Sequence, residues 1–225
     1  MTITIFGTGN VGKTLAEKFI SAGHSVVIGT RDPIETLKKE GPSNFSEWFK
    51  KNDSIKLKTF SEAVLESKVI ENALNGASTL SVLENIGVEN FKSKIIIDIS
   101  NPLDFSKGFP PTLIEGLNNS NSLGENIQNL LPAAKVIKTL NTMWCGLMLA
   151  PKLINEGQHI NFICGNDQNA KEFVINILKE FGWTNDTILD LGDITNSRGT
   201  EAYLLLWTRI YNATKNGAFN LQLIK

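Results

Sequence analysis

Hydrophobic residues occur along this chain as short β-branched runs that alternate with longer segments of helical periodicity. The runs predict eight strands, at Thr2–Phe6, Ser25–Thr30, Ile55–Phe60, Lys68–Ala73, Lys94–Ile99, Lys135–Leu140, His159–Cys164 and Thr187–Leu191. The periodic segments predict seven helices, at Asn10–Ala22, Asn44–Lys51, Ser61–Glu66, Ala77–Ile86, Leu123–Leu131, Asn169–Phe181 and Arg198–Ala213. Strands that alternate with helices are typical of a mostly parallel sheet with helices on both faces.

The order of these elements predicts an α/β fold, a Rossmann-type doubly wound and mostly parallel sheet with a small C-terminal αβ lobe. The runs TITIF and IIIDIS are almost continuously apolar, as expected of strands buried on both faces. Residues 106–121 are rich in Gly, Pro, Asn and Ser and predict a surface loop. A boundary after the sixth strand divides the chain into a domain at 1–147 and a lobe at 148–225.

Composition narrows the classes of function. The chain has 225 residues, 41% of them hydrophobic, with 22 basic and 23 acidic residues and a net charge of −1. This balance offers no electrostatic footprint for nucleic acid or for an anionic membrane. The two cysteines, Cys145 and Cys164, are too few for a disulfide framework and lack the spacing of zinc ligands. No basic leader precedes TITIF, and no apolar run approaches the ~20 residues of a membrane span, so we expect a soluble, cytoplasmic protein.

A glycine-rich turn joins the first strand to the first helix. It reads Gly7-Thr8-Gly9-Asn10-Val11-Gly12. In this context Gly7 permits the tight turn, Gly9 lets the backbone approach a pyrophosphate, and Gly12 lets helix and strand pack closely. The helix N-terminus offers free N–H groups and a positive dipole end to the phosphates. The turn therefore predicts a dinucleotide site, and the alternative is an ordinary glycine-rich turn.

The end of the second strand bears on the choice of cofactor. An NAD enzyme places Asp or Glu about 20 residues after the turn, to bind the ribose hydroxyls. This chain has Thr30 and Arg31, which can bind a 2′-phosphate, and we expect Asp32 to point away from them. The sequence therefore predicts NADP(H) rather than NAD(H). Lys38 and Lys39 fit a solvated helix face better than the phosphate site.

Amides and hydroxyls follow three further strands, where ligands of such sheets bind. The candidates for the nicotinamide side are Asn72, Ala73, Asn75, Ser100, Asn101, Asn141, Thr142 and Met143. These neutral groups can bond a carboxamide and a ribose without acid–base chemistry. The alternative is that Asn and Ser here only form turns.

Side chains for acid–base, nucleophilic or metal chemistry are scarce, and we assign no catalytic residue and no metal ligand. His24 and His159 fit surface or structural positions. Tyr211 and Lys215 have the Tyr-xxx-Lys spacing of short-chain dehydrogenases, but they lie at the end of the chain and the glycine turn is of another type. Direct hydride transfer between two ring cofactors needs alignment and exclusion of water rather than side-chain chemistry.

Taken together, the motifs resemble one family over essentially the whole chain. They are TIFGTGNVG, GTRDP, ENALNGA, IDISNPL, SLGENIQNLLPAAKVIKTLNTM, FICGND, EFGW, DLGDITNSRGTE and FNLQLIK. The chain is similar to the prokaryotic NADPH:deazaflavin oxidoreductases, described as coenzyme F420-dependent NADP oxidoreductases. More distantly, it resembles the NADP-binding domain of STEAP-type metalloreductases.

The resemblance implies a Rossmann domain that binds NADP(H) at 1–147, and a lobe at 148–225 that completes the cleft for a small-molecule acceptor, coenzyme F420 or a flavin. It implies that residues 8–11 hold the pyrophosphate, that Thr30 and Arg31 hold the 2′-phosphate, and that Asn72, Ala73, Asn141 and Thr142 flank the nicotinamide. Two residues depart from the family pattern, Lys68 for an Asp and Glu71 for an apolar residue. Glu71 is expected either to bind an active-site group or to reach solvent.

Other hypotheses remain open. An apolar stripe on the last helix suits core packing or a homodimer contact, or the wall of a second cofactor. The chain could also be an NADP(H)-binding sensor without turnover. A small-substrate NADP-dependent dehydrogenase is a further alternative, although relatives of that kind need a large helical domain that about 75 residues do not supply.

Overall fold

The structure is a computed structural model that describes residues 1–39 and 44–224. The strands are β1 Thr2–Phe6, β2 Ser25–Thr30, β3 Lys56–Thr59, β4 Val69–Asn72, β5 Ile95–Asp98, β6 Leu103–Asp104, β7 Thr112–Leu113, β8 Lys135–Thr139, β9 Asn161–Gly165 and β10 Ile188–Asp190. The α-helices are α1 Asn10–Ser21, α2 Pro33–Lys38, α3 Phe45–Lys50, α4 Phe60–Ala63, α5 Gly76–Ile86, α6 Leu123–Leu130, α7 Cys145–Leu149, α8 Gln168–Phe181 and α9 Ser197–Thr214.

Eight strands form one sheet in the order β10-β9-β8-β5-β4-β1-β2-β3, and β6 pairs with β7 in a separate hairpin. All neighbours in the sheet are parallel except β8 and β9. From β1 the chain first builds outward through β2 and β3, and then returns to place β4 on the other side of β1. This reversal opens a crevice at the carboxyl ends of β1 and β4, the place where open α/β sheets bind ligands.

Two apolar cores cover the two faces of the sheet. On one face, Leu15 and Phe19 of α1 pack against β-strand residues such as Ile5 and Ile97, all of them fully or almost fully buried. On the other face, Leu83 of α5 and residues of α6 pack against strand residues including Phe6. Because both faces are covered, the central strands are apolar on both sides, as TITIF and IIIDIS predict.

All eight predicted strands and all seven predicted helices are present, with ends displaced by three residues at most. The predicted fold class is confirmed. The structure adds α2, α7 and the hairpin β6–β7. The hairpin adds a paired strand to the predicted surface loop at 106–121, because β7 lies within that segment and pairs Leu113 with Leu103. The elements β6, β7, α2 and α7 are short, and segments of two to six residues carry little periodic pattern.

The predicted domain boundary falls inside α7, and β9 and β10 from the 148–225 segment continue the same sheet as β1–β8. The segment also supplies α8 and α9. The two predicted parts therefore share one sheet, and their division at residue 147 stays a prediction.

Candidate functional site

A cleft of about 710 Å³ runs along the carboxyl ends of β1, β2 and β4. Its lining comes from the glycine turn, the end of β2, the α2 region, and the start of α5; it includes Gly7, Thr8, Gly9, Thr30, Arg31, Lys39, Phe60, Ala73, Asn75 and Ser78. The structure therefore brings the predicted pyrophosphate residues and the predicted 2′-phosphate residues into one cavity.

Glycine suits each of these three positions of the turn for a different geometric reason. Gly7 has a φ of +125°, and a Cβ there would lie 2.6 Å from the carbonyl oxygen of Ala73. A Cβ on Gly12 would lie 2.2 Å from the carbonyl oxygen of Gly7, so helix and turn can approach only without it. At Gly9 a Cβ would meet nothing within 4 Å. Gly9 is also the N-cap of α1, and no side chain caps this end, so the first N–H groups of α1 are open to an anion.

The end of β2 and the α2 region bring charged side chains of both signs to the cleft, Arg31 and Lys39 together with Asp32 and Glu35. Arg31 is exposed and lines the cavity, and it also lines a smaller cavity of about 230 Å³ beside Phe60. The carboxylate of Asp32 caps α2 by accepting from the backbone N–H of Glu35 at 3.0 Å, but Asp32 also lines the cleft, so the prediction that it points away from Thr30 and Arg31 is not confirmed. Lys38 pairs with Glu35 on the surface, and Lys39 is exposed, as expected, while it also lines the cleft.

The Thr30 side chain is less free than the sequence implied. It is buried, and its hydroxyl shares a hydrogen bond of 2.7 Å with the hydroxyl of Thr36 on α2. Sequence analysis missed Thr36, which also lines the cleft. A Pro at the first helical position and an acidic cap before it are the local signals that could have revealed α2 and hence Thr36.

A second cavity of about 210 Å³ continues from the cleft toward β5. Its lining includes three residues that belong to or pack against the apolar core on the α1 face, Val11, Ala73 and Ile99, which we call its floor. It also includes Asn75, Ser100, Asn101 and Phe105, which we call its rim. Asn75 caps α5 by accepting from the N–H of Ala77 at 2.9 Å. Four of the predicted nicotinamide-side residues line these cavities, Ala73, Asn75, Ser100 and Asn101, and Asn141 is hydrogen-bonded to Asn101.

Asn101 and Asn141 lock the ends of β5 and β8 together. Asn101 donates from Nδ2 to the carbonyl oxygen of Asn141 at 2.9 Å, and Asn141 donates from Nδ2 to Oδ1 of Asn101 at 2.9 Å. Asn141 Oδ1 and Thr142 Oγ1 are buried with no partner. Met143 is buried and belongs to the apolar core. A buried polar atom without a partner costs free energy, and neither Asn141 nor Thr142 lines either cavity.

Asn72 does not open onto the cleft. It is fully buried and donates from Nδ2 to Asp98 Oδ1 at 2.7 Å and weakly to Ser100 Oγ. The same Asp98 oxygen accepts from the backbone N–H and the hydroxyl of Ser100. The side chain predicted to flank the nicotinamide thus lies inside a polar network below the strand ends.

A fully buried ion network supports these strand ends. Lys138 Nζ lies 2.8 Å from Asp98 Oδ2 and 2.8 Å from Glu201 Oε1, and it donates to the carbonyl oxygen of Ser100 at 2.6 Å. Burial would lower the pKa of Lys138, but the charges of Asp98 and Glu201 outweigh it and raise the pKa. Glu201 of α9 also accepts from the first N–H groups of α6. Sequence analysis missed this network, because three charged residues far apart in the chain gave no local signal.

Glu71 lies in the row of β4 between Ile5 of β1 and Ile97 of β5. It is fully buried, and neither carboxyl oxygen has a hydrogen-bond partner. Burial and the charge of Asp98 raise the pKa of Glu71 well above its usual range. The expectation that this side chain might reach solvent is therefore wrong, since β4 is central and covered on both faces.

The remaining candidates have structural roles in this fold. His24 bonds Glu180 at 2.6 Å, and the buried His159 bonds the carbonyl oxygen of Pro151 and the amide of Asn220. Lys215 lies past the end of α9 in a left-handed conformation and donates to Asn212. The Tyr-xxx-Lys spacing therefore does not produce a pair on one helix.

Aromatic side chains from α9, the tail and the hairpin loop form a cluster. The ring of Trp207 is stacked with those of Tyr211 and Phe219, at centroid distances of 5.6 and 5.3 Å. Phe109 meets Tyr211 edge-on at 6.0 Å. Of the predicted apolar stripe on the last helix, Ala202, Leu206 and Ala213 are exposed and Leu205 and Ile210 are half-buried, so core packing alone does not explain it.

No helix within residues 1–39 and 44–224 has the length and apolarity needed to cross a membrane. No group of three or more His, Cys, Asp or Glu side chains in the same ranges could hold a metal ion.

The sheet order, the glycine turn before an uncapped helix, and Arg31 at the end of β2 define a Rossmann-type dinucleotide-binding protein. Comparison with known proteins gives the family. The sequence profile described as NADP oxidoreductase, coenzyme F420-dependent, matches residues 2–102. A crystal structure from Arthrobacter sp. FB24, provisionally described as an F420-dependent NADP reductase, is 43% identical with a TM-score of 0.94, and the match covers 99% of both chains. The chain belongs to this family of NADP-dependent oxidoreductases.

Two curated relatives extend the comparison. The F420-dependent NADP reductase of Methanocaldococcus jannaschii is 29% identical over 205 residues, which cover 90% of this chain and 88% of the relative. The metalloreductase STEAP3 of Rattus norvegicus is 29% identical over 205 residues, which cover 89% of this chain and 36% of the relative. The chain thus spans about a third of the metalloreductase that it matches.

Proposed function

We propose that this protein binds NADP(H) in the cleft and transfers a hydride between the nicotinamide and a deazaflavin or flavin-type ring. The observation that carries the proposal is the pair of adjoining cavities at the strand ends, with Arg31 and Lys39 lining one and the apolar residues Val11, Ala73 and Ile99 lining the other. The family supports NADP as the dinucleotide, and the names of the reductase relatives support coenzyme F420 as the acceptor.

The residues of the cleft fit an NADP(H) molecule. The uncapped N-terminus of α1 and the open space at Gly9 suit a pyrophosphate. Arg31 and Lys39 supply the positive charge that a 2′-phosphate requires, and the hydroxyls of Thr30 and Thr36 are close by. The small cavity over Ala73 and Ile99 then receives the nicotinamide.

When bound, NADPH supplies the hydride, so the protein has to position the two rings and shield them from water rather than donate protons. The apolar floor of Val11, Ala73 and Ile99 supports one face of a flat ring, and Phe105 at the rim covers it from water. The Asn101–Asn141 pair fixes the rim from below. Such a site raises the rate by holding the two reacting carbons about 3–3.5 Å apart in a dry cavity.

An acceptor ring would approach from the side of the aromatic cluster. Phe105 is about half exposed at the rim. Phe109, in the loop between β6 and β7, and Tyr211, on α9, expose a further apolar surface. Aromatic faces of this kind stack on flat heterocycles. The exposed stripe on α9 is the surface we assign to a second copy of the chain, should the protein be a homodimer.

The test is stopped-flow oxidation of NADPH with coenzyme F420, FMN, FAD and a ferric chelate as acceptors, followed by absorbance at the nicotinamide band. We expect fast oxidation with a flavin-type ring and none with the chelate alone. Oxidation by the chelate alone would contradict the ring-acceptor assignment. Tight NADPH binding without turnover on any acceptor would identify a sensor instead.

A further inference from the structure

Glu71 is a buried acid that neither the hydride transfer nor the fold explains. Its side chain is fully buried in a row of isoleucines, and both carboxyl oxygens lack partners. An apolar residue would pack there at lower cost, because a buried polar atom without a hydrogen bond is destabilising. The position calls for a role that an apolar residue could not perform.

The geometry places Glu71 one layer below the floor of the small cavity. Side chains alternate along a strand, so Ala73 lies on the same face as Glu71, and Ile99 lies on the same face as its neighbour Ile97. The backbone hydrogen bonds between the strands extend to these two residues, since the N–H of Ala73 donates to the carbonyl oxygen of Phe6 and the N–H of Ile99 donates to the carbonyl oxygen of Asn72. Ala73 and Ile99 both form the cavity floor. Two residues of strand separate the layers by about 6.6 Å.

The surroundings of Glu71 are otherwise apolar. The neighbouring strand residues are Ile5 and Ile97, and α1, α7 and α8 cover this face with apolar side chains. The ionisable residues of these helices are Lys13, Glu17, Lys18, Cys145, Lys171, Glu172, Lys179 and Glu180. The charge that acts on Glu71 is that of Asp98, which is paired with Lys138. Burial and this like charge favour the neutral form of Glu71.

We propose that Glu71 determines the preference for the oxidised cofactor by ionising beneath the positively charged nicotinamide ring of NADP⁺. This inference rests on the proposed placement of the nicotinamide in the small cavity. The oxidised ring carries one positive charge and the reduced ring carries none. On binding of NADP⁺ the O–H bond of Glu71 breaks, the proton passes to solvent, and the carboxylate remains under the ring. On binding of NADPH the proton stays in place.

The decisive measurement counts protons by isothermal titration calorimetry of the wild-type protein in two buffers of different ionisation enthalpy. NADP⁺ and NADPH carry the same phosphates, so the difference between their proton counts isolates the ring charge. We expect binding of NADP⁺ to release up to one proton more than binding of NADPH. Equal counts for the two cofactors would overturn the inference while leaving cofactor binding, and with it the proposed function, intact.

Variants then assign the proton to Glu71. In Glu71→Gln the difference in proton count should vanish. The affinity for NADP⁺ at pH 8 should fall by about 10- to 100-fold, the range given by unit charges some 6–7 Å apart at an effective dielectric constant near 20. The affinity for NADPH should change less than about two-fold. Glu84→Gln, which changes an exposed glutamate on α5, is the matched control and should behave as wild type.

The pH profile supplies an independent readout. The ratio of the NADP⁺ and NADPH affinities should rise with pH in the wild-type protein, by at most ten-fold per pH unit for one proton. It should be flat in Glu71→Gln. A variant that retains the rise would overturn the inference. Failure of both cofactors to bind the wild-type protein would overturn the proposed function as well as this inference.

Discussion

Replacement of Glu71 by methionine should stabilise the cofactor-free protein. Methionine has nearly the length of glutamate and fills the same space between Ile5 and Ile97, so it leaves little cavity. It removes two buried oxygens that have no hydrogen-bond partner. Leaving a buried polar group unsatisfied costs about 1–3 kcal/mol, and this is the gain expected even where Glu71 is protonated in both states.

The gain should increase with pH. The pKa of Glu71 is raised in the folded protein, whereas the unfolded chain titrates near its ordinary value of about 4.3. Above that value the folded state keeps a proton that the unfolded state has lost. Wild-type stability therefore falls with rising pH, by up to about 1.4 kcal/mol per pH unit from this group, until the folded-state pKa is reached. The stability of the Glu71→Met variant does not fall with pH for this reason, because methionine does not titrate.

The assay is urea unfolding of wild type, Glu71→Met and Glu71→Gln at several pH values between 4.5 and 7.5. The free-energy difference between Glu71→Met and wild type should be positive throughout and should widen as the pH rises. Thermal melts should show the same order, with about 2–4 °C for each kcal/mol in a chain of this size. Glu71→Gln retains buried polar atoms but does not titrate, so it should run parallel to Glu71→Met. A difference that does not change with pH, or a less stable methionine variant, would refute the reasoning.

Three further predictions follow from the site and its supports. Gly9→Ala should fold with stability within about 0.5 kcal/mol of wild type but lose NADPH affinity in a fluorescence titration. Gly12→Ala should lose about 1–3 kcal/mol of stability in a thermal melt, because its Cβ would lie 2.2 Å from a carbonyl oxygen. If both variants bind NADPH as wild type does, the pyrophosphate is elsewhere. Arg31→Ala should weaken NADPH binding by about 10- to 150-fold and leave NADH binding unchanged, with Arg209→Ala on α9 as the control, and equal NADPH affinity in Arg31→Ala and wild type would contradict the assignment. Lys138→Met should cost about 3–5 kcal/mol in urea unfolding, because it strands the buried carboxylates of Asp98 and Glu201. The half-exposed pair of Lys135 and Asp167 provides the comparison, since Lys135→Met should cost no more than about 1 kcal/mol, and similar costs for the two lysines would show that the buried network does not hold the strand ends.

The role proposed for Glu71 explains why the protein has a residue there that lowers its stability. A central strand would be more stable with an apolar residue at this position, so the acid is retained at a cost. Residues that reduce stability in this way concentrate at functional sites. The two Glu71 experiments separate these aspects, because unfolding measures the cost without cofactor and calorimetry measures what the cofactor recovers.

The local pattern determined the elements and the dinucleotide turn. The β-branched runs and periodic segments specified every strand of three residues or more and every α-helix longer than six residues, since burial imposes a period on a long element. Gly7, Gly9 and Gly12 were recognisable because their spacing answers a local steric demand between a strand and the helix that follows it. The cap that Asp32 provides to α2 is also a local feature, since its carboxylate bonds the backbone N–H of a residue only three positions later.

The tertiary structure decided which polar side chains face the cleft and which lie beneath it. Asn72 and Asn141 looked equivalent in the sequence, yet Asn72 is bonded inside the sheet to Asp98, while Asn141 pairs with Asn101 at the cavity rim. Asp98, Lys138 and Glu201 meet only because β5, β8 and α9 are neighbours in space. The burial of Glu71 depends on strands on both sides and helices above. Hydrophobic periods and turn chemistry act between residues close in the chain, whereas burial, pKa shifts and ion networks depend on contacts between residues that only the folded chain brings together.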